Sequence, residues 1–304
     1  MRVGIIGTGS MGKNHMRVVN SIPELELTCA MDINKDTLDE VSEGYSIKKF
    51  DDFRDMADLV DAVMVSTPTT DHFAISKFFL EKGKNILVEK PFTATLEEAD
   101  ELISIAKEKG LYIGVGHLER FNPAVEYINK LVKKPLFIEI QRLGSFSPRS
   151  LDVDVIMDLM IHDLDIILQW DRSGIEKIDA AGIPVVSKKV DIANVRLQFA
   201  SGLVANITSS RVSQKKTRKL RIFQKNGYFS VDYKKRRVKI YGIDKGVIDE
   251  NIPEIEEVEP LYNLWINFYK TVNTGKNYNV TGEEGRNALE LAKKVSESIK
   301  HIEV

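Results

Sequence analysis

The first dozen residues limit the fold of this chain more than any other stretch. An apolar run, Arg2-Val3-Gly4-Ile5-Ile6, passes without a spacer into Gly7-Thr8-Gly9-Ser10-Met11-Gly12, and a helical stretch from Lys13 to Ser21 follows. Strand, glycine turn and helix in that order give a G-x-G-x-x-G motif its meaning. Gly7 permits a tight turn, Gly9 lets a pyrophosphate approach the backbone, and Gly12 lets the helix pack on the strand. Ser10 and Met11, inside the motif, are candidate cofactor-binding residues with the glycines, and the start of the helix that follows offers N–H groups and partial positive charge to phosphates. A second strand, Leu25 to Met31, ends at Asp32, where a carboxylate would hold the ribose hydroxyls of adenosine. A purely structural glycine turn is the competing reading. The strand context and the acid favour a dinucleotide, and Asp32 favours NAD over NADP.

The next stretch alternates strands and helices. A helix is expected over Lys35 to Glu43, a weak strand over Ser46 to Phe50 and a short helix over Asp52 to Met56. Asp61 to Ser66 reads as a strand buried on both faces and Asp71 to Lys82 as a helix; Asn85 to Glu89 is a further strand. Thr95 to Lys109 is an amphipathic helix with Thr95 and Glu98 as a capping box, and Leu111 to Gly116 is the last strand of the unit. Repeated βα units imply a doubly wound parallel sheet, a Rossmann domain over residues 1–118. Ligands bind such sheets at the carboxyl ends of the strands. Ser66, Thr67, Pro68, His72, Glu89 and Lys90 fall there and join the glycine turn as candidate cofactor-binding residues.

The pattern changes near His117. Residues 119–259 read as an α+β domain: a helix to about Lys133, a strand from Leu136 to Leu143, a loop over Ser145 to Asp152 and one helix from Val153 to Trp170. Strands follow at about 175–187, 190–200, 203–212, 218–224, 228–232 and 238–241, with hairpin turns at Ser201-Gly202 and Asn226-Gly227. The expected product is a large, mainly antiparallel sheet with helices on one face. Its other face, where Asn194, Arg196 and Gln198 alternate with Val195, Leu197 and Phe199, is partly polar. Two helices, Pro260 to Asn273 and Gly282 to Lys300, end the chain.

Composition narrows the class. A chain of 304 residues is long enough for two cores, and its net charge of −2 argues against general attraction to nucleic acid or membrane. The single cysteine, Cys29, excludes an internal disulfide framework and fits a reducing compartment. With a strand at the very N-terminus and no apolar run of transmembrane length, a cytoplasmic protein is expected. Asp158, His162 and Asp165 stand at helical spacing on what should be an apolar face, so each must be paired or functional. A structural histidine is one reading; a zinc site is disfavoured because an Asp/His pair without further Cys or His ligands makes a poor one, and no metal is expected. Lys90 is either a surface lysine or a charge aimed into the ligand crevice, and the bond to Pro91 permits the cis form. Basic residues cluster at Arg211, Lys215, Lys216, Arg218, Lys219 and Arg221, and again from Lys234 to Arg237. A charged edge that resists strand pairing accounts for most of them; attraction of an anionic substrate is the alternative.

Together, Gly7 to Gly12, Thr67-Pro68 with His72, Glu89-Lys90-Pro91 and Asp158-x-x-x-His162-x-x-Asp165 resemble the Gfo/Idh/MocA oxidoreductase family over essentially the whole chain. The resemblance implies Lys90, Asp158 and His162 as the catalytic group, and C-terminal helices (260–304) that pack back beside the Rossmann domain. The stretches Gly116 to Val125, Ser147-Pro148-Arg149, Asp152 to Val155 and Asp158 to Asp163 are similar to the UDP-N-acetylglucosamine 3-dehydrogenase branch of that family, as is the strand region Lys219 to Asp232. That likeness implies NAD-dependent oxidation of a nucleotide sugar at its 3-hydroxyl, feeding amino-sugar synthesis for lipid A or a surface glycan. His162 would be the base and Lys90 the alkoxide stabiliser, with Asp158 orienting His162, and Arg149 and Arg120 at the substrate. A dehydrogenase of another sugar, a UDP-sugar uronate or a polyol such as inositol is the alternative within enzymes, and a nucleotide-sensing regulator the alternative outside them. The broad sheet suggests a homodimer or homotetramer.

Overall fold

The computed structural model describes residues 1–146, 153–244, 247–276 and 280–301. The chain divides into two compact units, residues 1–118 with 259–287 and residues 119–258 with those from 288 onward. The sequence reading sends residues 260–304 to the first domain; from Ala288 the described chain instead belongs to the second unit.

In the first unit, β1 (Arg2–Ile6), α1 (Ser10–Ser21), β2 (Glu26–Met31), α2 (Lys35–Val41), β3 (Lys48–Phe50), β4 (Ala62–Val65), α3 (Thr69–Glu81), β5 (Asn85–Val88), α4 (Leu96–Lys109) and β6 (Ile113–Val115) alternate. The six strands form a parallel sheet in the order β3-β2-β1-β4-β5-β6. All four residues of β4 are buried, as a strand covered on both faces by helices requires. The expected capping box is present: Thr95 accepts from the Glu98 N–H, while Glu98 accepts from the Thr95 N–H, fixing where α4 starts. The sheet order places a topological switch between β1 and β4, so the ends of β1, β2, β4 and β5 converge on one crevice.

The second unit holds α5 (Pro123–Asn129), β7 (Pro135–Leu143), α6 (Ile161–Trp170), β8 (Ile175–Ile183), β9 (Ile192–Phe199), β10 (Val204–Ser210), β11 (Thr217–Gln224), β12 (Gly227–Asp232), β13 (Arg237–Asp244) and β14 (Val247–Asn251). Two helices follow, α7 (Pro260–Thr274) and α8 (Gly282–Glu297), and then β15 (Ile299–His301). Nine strands form one mixed sheet, β14-β13-β12-β11-β7-β10-β9-β8-β15, antiparallel except where β7 meets β10 and β8 meets β15. Val195, Leu197 and Phe199 are buried in a core shared with Ile156, Ile161, Leu164 and, from α8, Leu291 and Val295. Two strands differ from expectation. β14 is short, charged and exposed along its whole length, an edge strand with no buried face to give it a period-two pattern. β15 takes residues assigned to the last helix, because Ile299 to His301 pair in parallel with Ala180 to Gly182. Among the described residues no helix is long and apolar enough to cross a membrane.

Candidate active site

The glycine turn is built as its spacing requires. Gly7 has φ 84°, a conformation that favours glycine, and its N–H donates to the Met31 carbonyl at 2.8 Å. A Cβ on Gly12 would lie 1.9 Å from the Gly7 carbonyl oxygen, so only glycine lets α1 approach the turn. A Cβ on Gly9 would meet nothing within 4 Å, which leaves open space above the turn. Gly9 is the N-cap of α1, no side chain caps the helix and no acid stands in its first turn. The positive end of α1 therefore suits an anion. Ser66 braces the turn from the end of β4, donating to the Gly7 carbonyl at 2.7 Å. At the end of β2, Asp32 accepts from the Thr8 N–H at 2.7 Å and the Thr8 hydroxyl at 3.0 Å through one oxygen, and from the Asn34 N–H at 2.9 Å through the other. An ionised carboxylate retains lone pairs beyond these for hydroxyl donors. Open cradle, uncapped helix start and carboxylate fit the pyrophosphate and ribose of a dinucleotide. Thr8, whose two donors aim Asp32, escapes sequence reasoning because the motif leaves its position unspecified.

Along the same strand ends, His72 joins two loops. It is buried, with Nδ1 3.0 Å from the Pro91 carbonyl and Nε2 3.0 Å from the Thr67 carbonyl. Burial pushes its pKa down although both carbonyls favour the charged ring. His72 is therefore a strut between the loops after β4 and β5. Pro68 is the N-cap of α3, and Thr67 supplies a carbonyl to the strut. The Lys90–Pro91 peptide is cis. Lys90 and Glu89 are partly exposed at the end of β5, and Glu89 bonds His15 of α1.

In the second unit the helix expected from Val153 to Trp170 is interrupted. Ile156–Met160 is a π-helical turn, and α6 begins only at Ile161. Asp158 lies on the π turn and His162 on the first turn of α6; both are partly exposed. The wider turn changes the angle between them from that of an uninterrupted α-helix, and such turns cluster at functional sites. Asp165 faces inward instead, accepting two hydrogen bonds from Arg120 at 2.7 and 2.6 Å, with both side chains at most 4 % exposed. Arg120 thus ties the start of the second unit to α6 through Asp165. Next to His162, Asp163 is fully buried and takes a bidentate pair of hydrogen bonds from Arg142 of β7 at 2.7 and 2.8 Å. Arg142 also donates to Glu119 at 2.9 Å. The negative charges of Asp163 and Glu119 keep the Arg142 guanidinium charged against the pull of burial. Neither Glu119 nor Arg142 is visible as a pair in the sequence, since their partners come from distant elements. Arg149 lies outside the described residues. Of the basic run, Arg211 is buried and donates to Asp191 at 2.7 Å and to the Val153 carbonyl at 2.9 Å, so it is a structural clamp. Arg218 reaches Glu119 and Arg221 reaches Glu139, while Lys215 and Lys216 are exposed.

A parallel sheet with this strand order, an open glycine turn under an uncapped helix and a carboxylate after the second strand define a dinucleotide-binding protein. A family model described as an oxidoreductase family with an NAD-binding Rossmann fold, GFO/IDH/MocA, matches residues 1–117. The UDP-N-acetylglucosamine 3-dehydrogenase of Acidithiobacillus ferrooxidans is 38% identical over 260 residues, covering 84% of this chain and 82% of that protein. Its solved structure matches with a TM-score of 0.93 over 98% of this chain and 97% of that one, at 34% identity across this longer span. The myo-inositol 2-dehydrogenase of Thermotoga maritima is 25% identical over 98% of this chain and 96% of its own. The chain belongs to the GFO/IDH/MocA family of oxidoreductases.

Proposed function

We propose that the protein oxidises the 3-hydroxyl of UDP-N-acetylglucosamine with NAD, giving the 3-keto nucleotide sugar for a following aminotransferase. The observation that supports this most is the 38% identity to a UDP-N-acetylglucosamine 3-dehydrogenase across 82% of its length. When bound, NAD supplies the hydride acceptor for C3. Gly7 to Gly12 and the start of α1 bind its pyrophosphate, and Asp32 binds the ribose. His162 takes the hydroxyl proton as general base. Lys90 places a positive charge beside the developing alkoxide. Asp158 orients the His162 ring and favours its protonated form. A second reading, oxidation of a free polyol, draws on the similarity to inositol dehydrogenases. A substrate panel separates the two: UDP-N-acetylglucosamine, its uronate, and scyllo- and myo-inositol, each with NAD and with NADP. NADH formation from UDP-N-acetylglucosamine with little turnover on NADP is expected, since Asp32 repels a 2′-phosphate. Turnover of inositol alone would shift the assignment to a polyol. Self-association through the open face of the nine-stranded sheet completes the proposal.

A further inference from the structure

We propose that a relay from Trp265 through His15 keeps Glu89 as an anion, and that this fixed charge biases the first unit toward the oxidised form of its nicotinamide dinucleotide. The inference rests on the NAD reading and is independent of which sugar is oxidised. It makes His15 on α1 and Trp265 on α7 positioning residues of the cofactor site.

The relay follows from donor chemistry. The Trp265 indole N–H donates to His15 Nδ1 at 3.0 Å, with the two rings edge to face at 78°. An indole N–H can only donate, so His15 Nδ1 must carry its lone pair. The ring proton then sits on Nε2, which lies 3.1 Å from Glu89 Oε1. His15 so held is a neutral donor. Both His15 and Trp265 are fully buried. The second Glu89 oxygen accepts the Lys90 N–H at 3.2 Å. Two N–H groups directed at the two oxygens favour the ionised form. Burial alone would disfavour the Glu89 charge; the hydrogen bonds from His15 and the Lys90 N–H, with the Lys90 ammonium on the next residue, favour it.

The position of that charge gives it a consequence. Glu89 follows β5, in the middle of the β4–β6 half of the sheet. Asp32 marks the β1–β3 half as the adenosine side, so the β4–β6 half takes the other mononucleotide. The nicotinamide ring is a cation when oxidised and neutral when reduced. A carboxylate only 13 % exposed on that half therefore contributes to binding one redox state and little to the other. For a unit charge in a partly enclosed site the expected discrimination is roughly tenfold. Trp265 protects it: without the indole donor, Nδ1 can take up a proton, and an imidazolium would cancel the Glu89 charge.

The test is calorimetric titration of the full chain with NAD and with NADH, for the wild type, Glu89→Gln and Trp265→Phe. The readout is the ratio of the two dissociation constants on one preparation, which is insensitive to any unfolded fraction. Glu89→Gln should move the ratio roughly tenfold toward NADH, and Trp265→Phe should move it several-fold the same way. A Glu89→Gln ratio within about twofold of wild type overturns the proposal, and so does a Trp265→Phe ratio that stays at the wild-type value. Nitrogen NMR of the wild-type histidines provides a check that needs no variant. It should show His15 with a bare Nδ1 and a protonated Nε2, and a doubly protonated ring overturns the relay. A wild type that binds neither dinucleotide removes the cofactor reading itself, a distinct result from an unchanged ratio.

Discussion

Asp163 and His162 are adjacent in sequence and opposite in fate. The carboxylate of Asp163 points into the second unit to meet Arg142, while His162 remains partly exposed. A buried charge with one partner removed costs roughly 3–5 kcal/mol, so α6 is held in rotation by Asp163 and Asp165 together. The proposed role of His162 as base can be tested on this frame. His162→Asn should keep the fold and the affinity for NAD, whose glycine turn belongs to the first unit. It should lower kcat by about 10²–10⁴-fold through loss of the base. Melting temperature and single-turnover rate on one preparation decide the matter: a destabilised variant that still turns over near the wild-type rate would make His162 structural. At this scale the sequence showed what local spacing encodes. The glycine turn, Asp32 and the polar trio on the helix all declare themselves within a few residues. Arg120 with Asp165, 45 residues apart, and Trp265 with His15, 250 apart, do not, because only the folded chain brings them together.

Elements were legible where burial or capping imposes a pattern and illegible where neither does. β4 and the capped α4 stand where their residues put them, whereas β14 has no buried face to betray it. The π turn before α6 escaped for a different reason, since its apolar spacing is compatible with one continuous helix. What fixes it is tertiary. Asp191 accepts from the N–H groups of Val185, Val186 and Ser187 at 2.8, 2.7 and 2.8 Å, and from Arg211. Arg211 in turn holds the Val153 carbonyl, and the Val155 N–H donates to the Val190 carbonyl. The β8–β9 loop thus clamps the chain three residues ahead of the π turn. Burial opposes the Asp191 charge, but the three backbone donors and the Ser187 hydroxyl outweigh it and hold its pKa well below the ordinary carboxylate value. A depressed carboxylate contributes stability that is fully present above its unfolded pKa, about 3.9, and is lost as pH falls toward the folded value. Asp191→Asn should therefore cost about 3 kcal/mol at neutral pH, by leaving Arg211 buried without its partner. The gap from wild type should narrow as urea melts are repeated below about pH 4. A gap independent of pH would assign the loss to packing and not to the charge.

At the scale of the whole molecule, the nine-stranded sheet is finished on one face only. Val195, Leu197 and Phe199 go to the core, while the opposite face carries Lys219, Arg221, Tyr228 and Tyr241. Tyr228 stacks between Phe223 at 5.0 Å and Tyr241 at 4.3 Å, and the two tyrosines line a hollow of about 370 Å³ with Glu139, Gln141 and Ser230. A row of stacked aromatics among paired charges (Arg221 with Glu139, Lys239 with Glu250) is the mixture found in protein interfaces, where aromatic and arginine side chains are enriched. A second copy related by a two-fold axis would present the same row to itself, since such an interface is self-complementary. The expected species in solution is then a dimer, or a tetramer made of such dimers. Replacing Tyr228 and Tyr241 together by Arg removes the stacked row and sets like charges across the axis. Light scattering after size exclusion should show the wild type as a multiple of the 34.4 kDa chain and the double variant as a smaller species. NAD affinity per chain should be unchanged, because none of the substituted residues belongs to the unit that carries the glycine turn. A wild type that runs as a monomer, or a double variant of unchanged mass, would remove this face from the assembly.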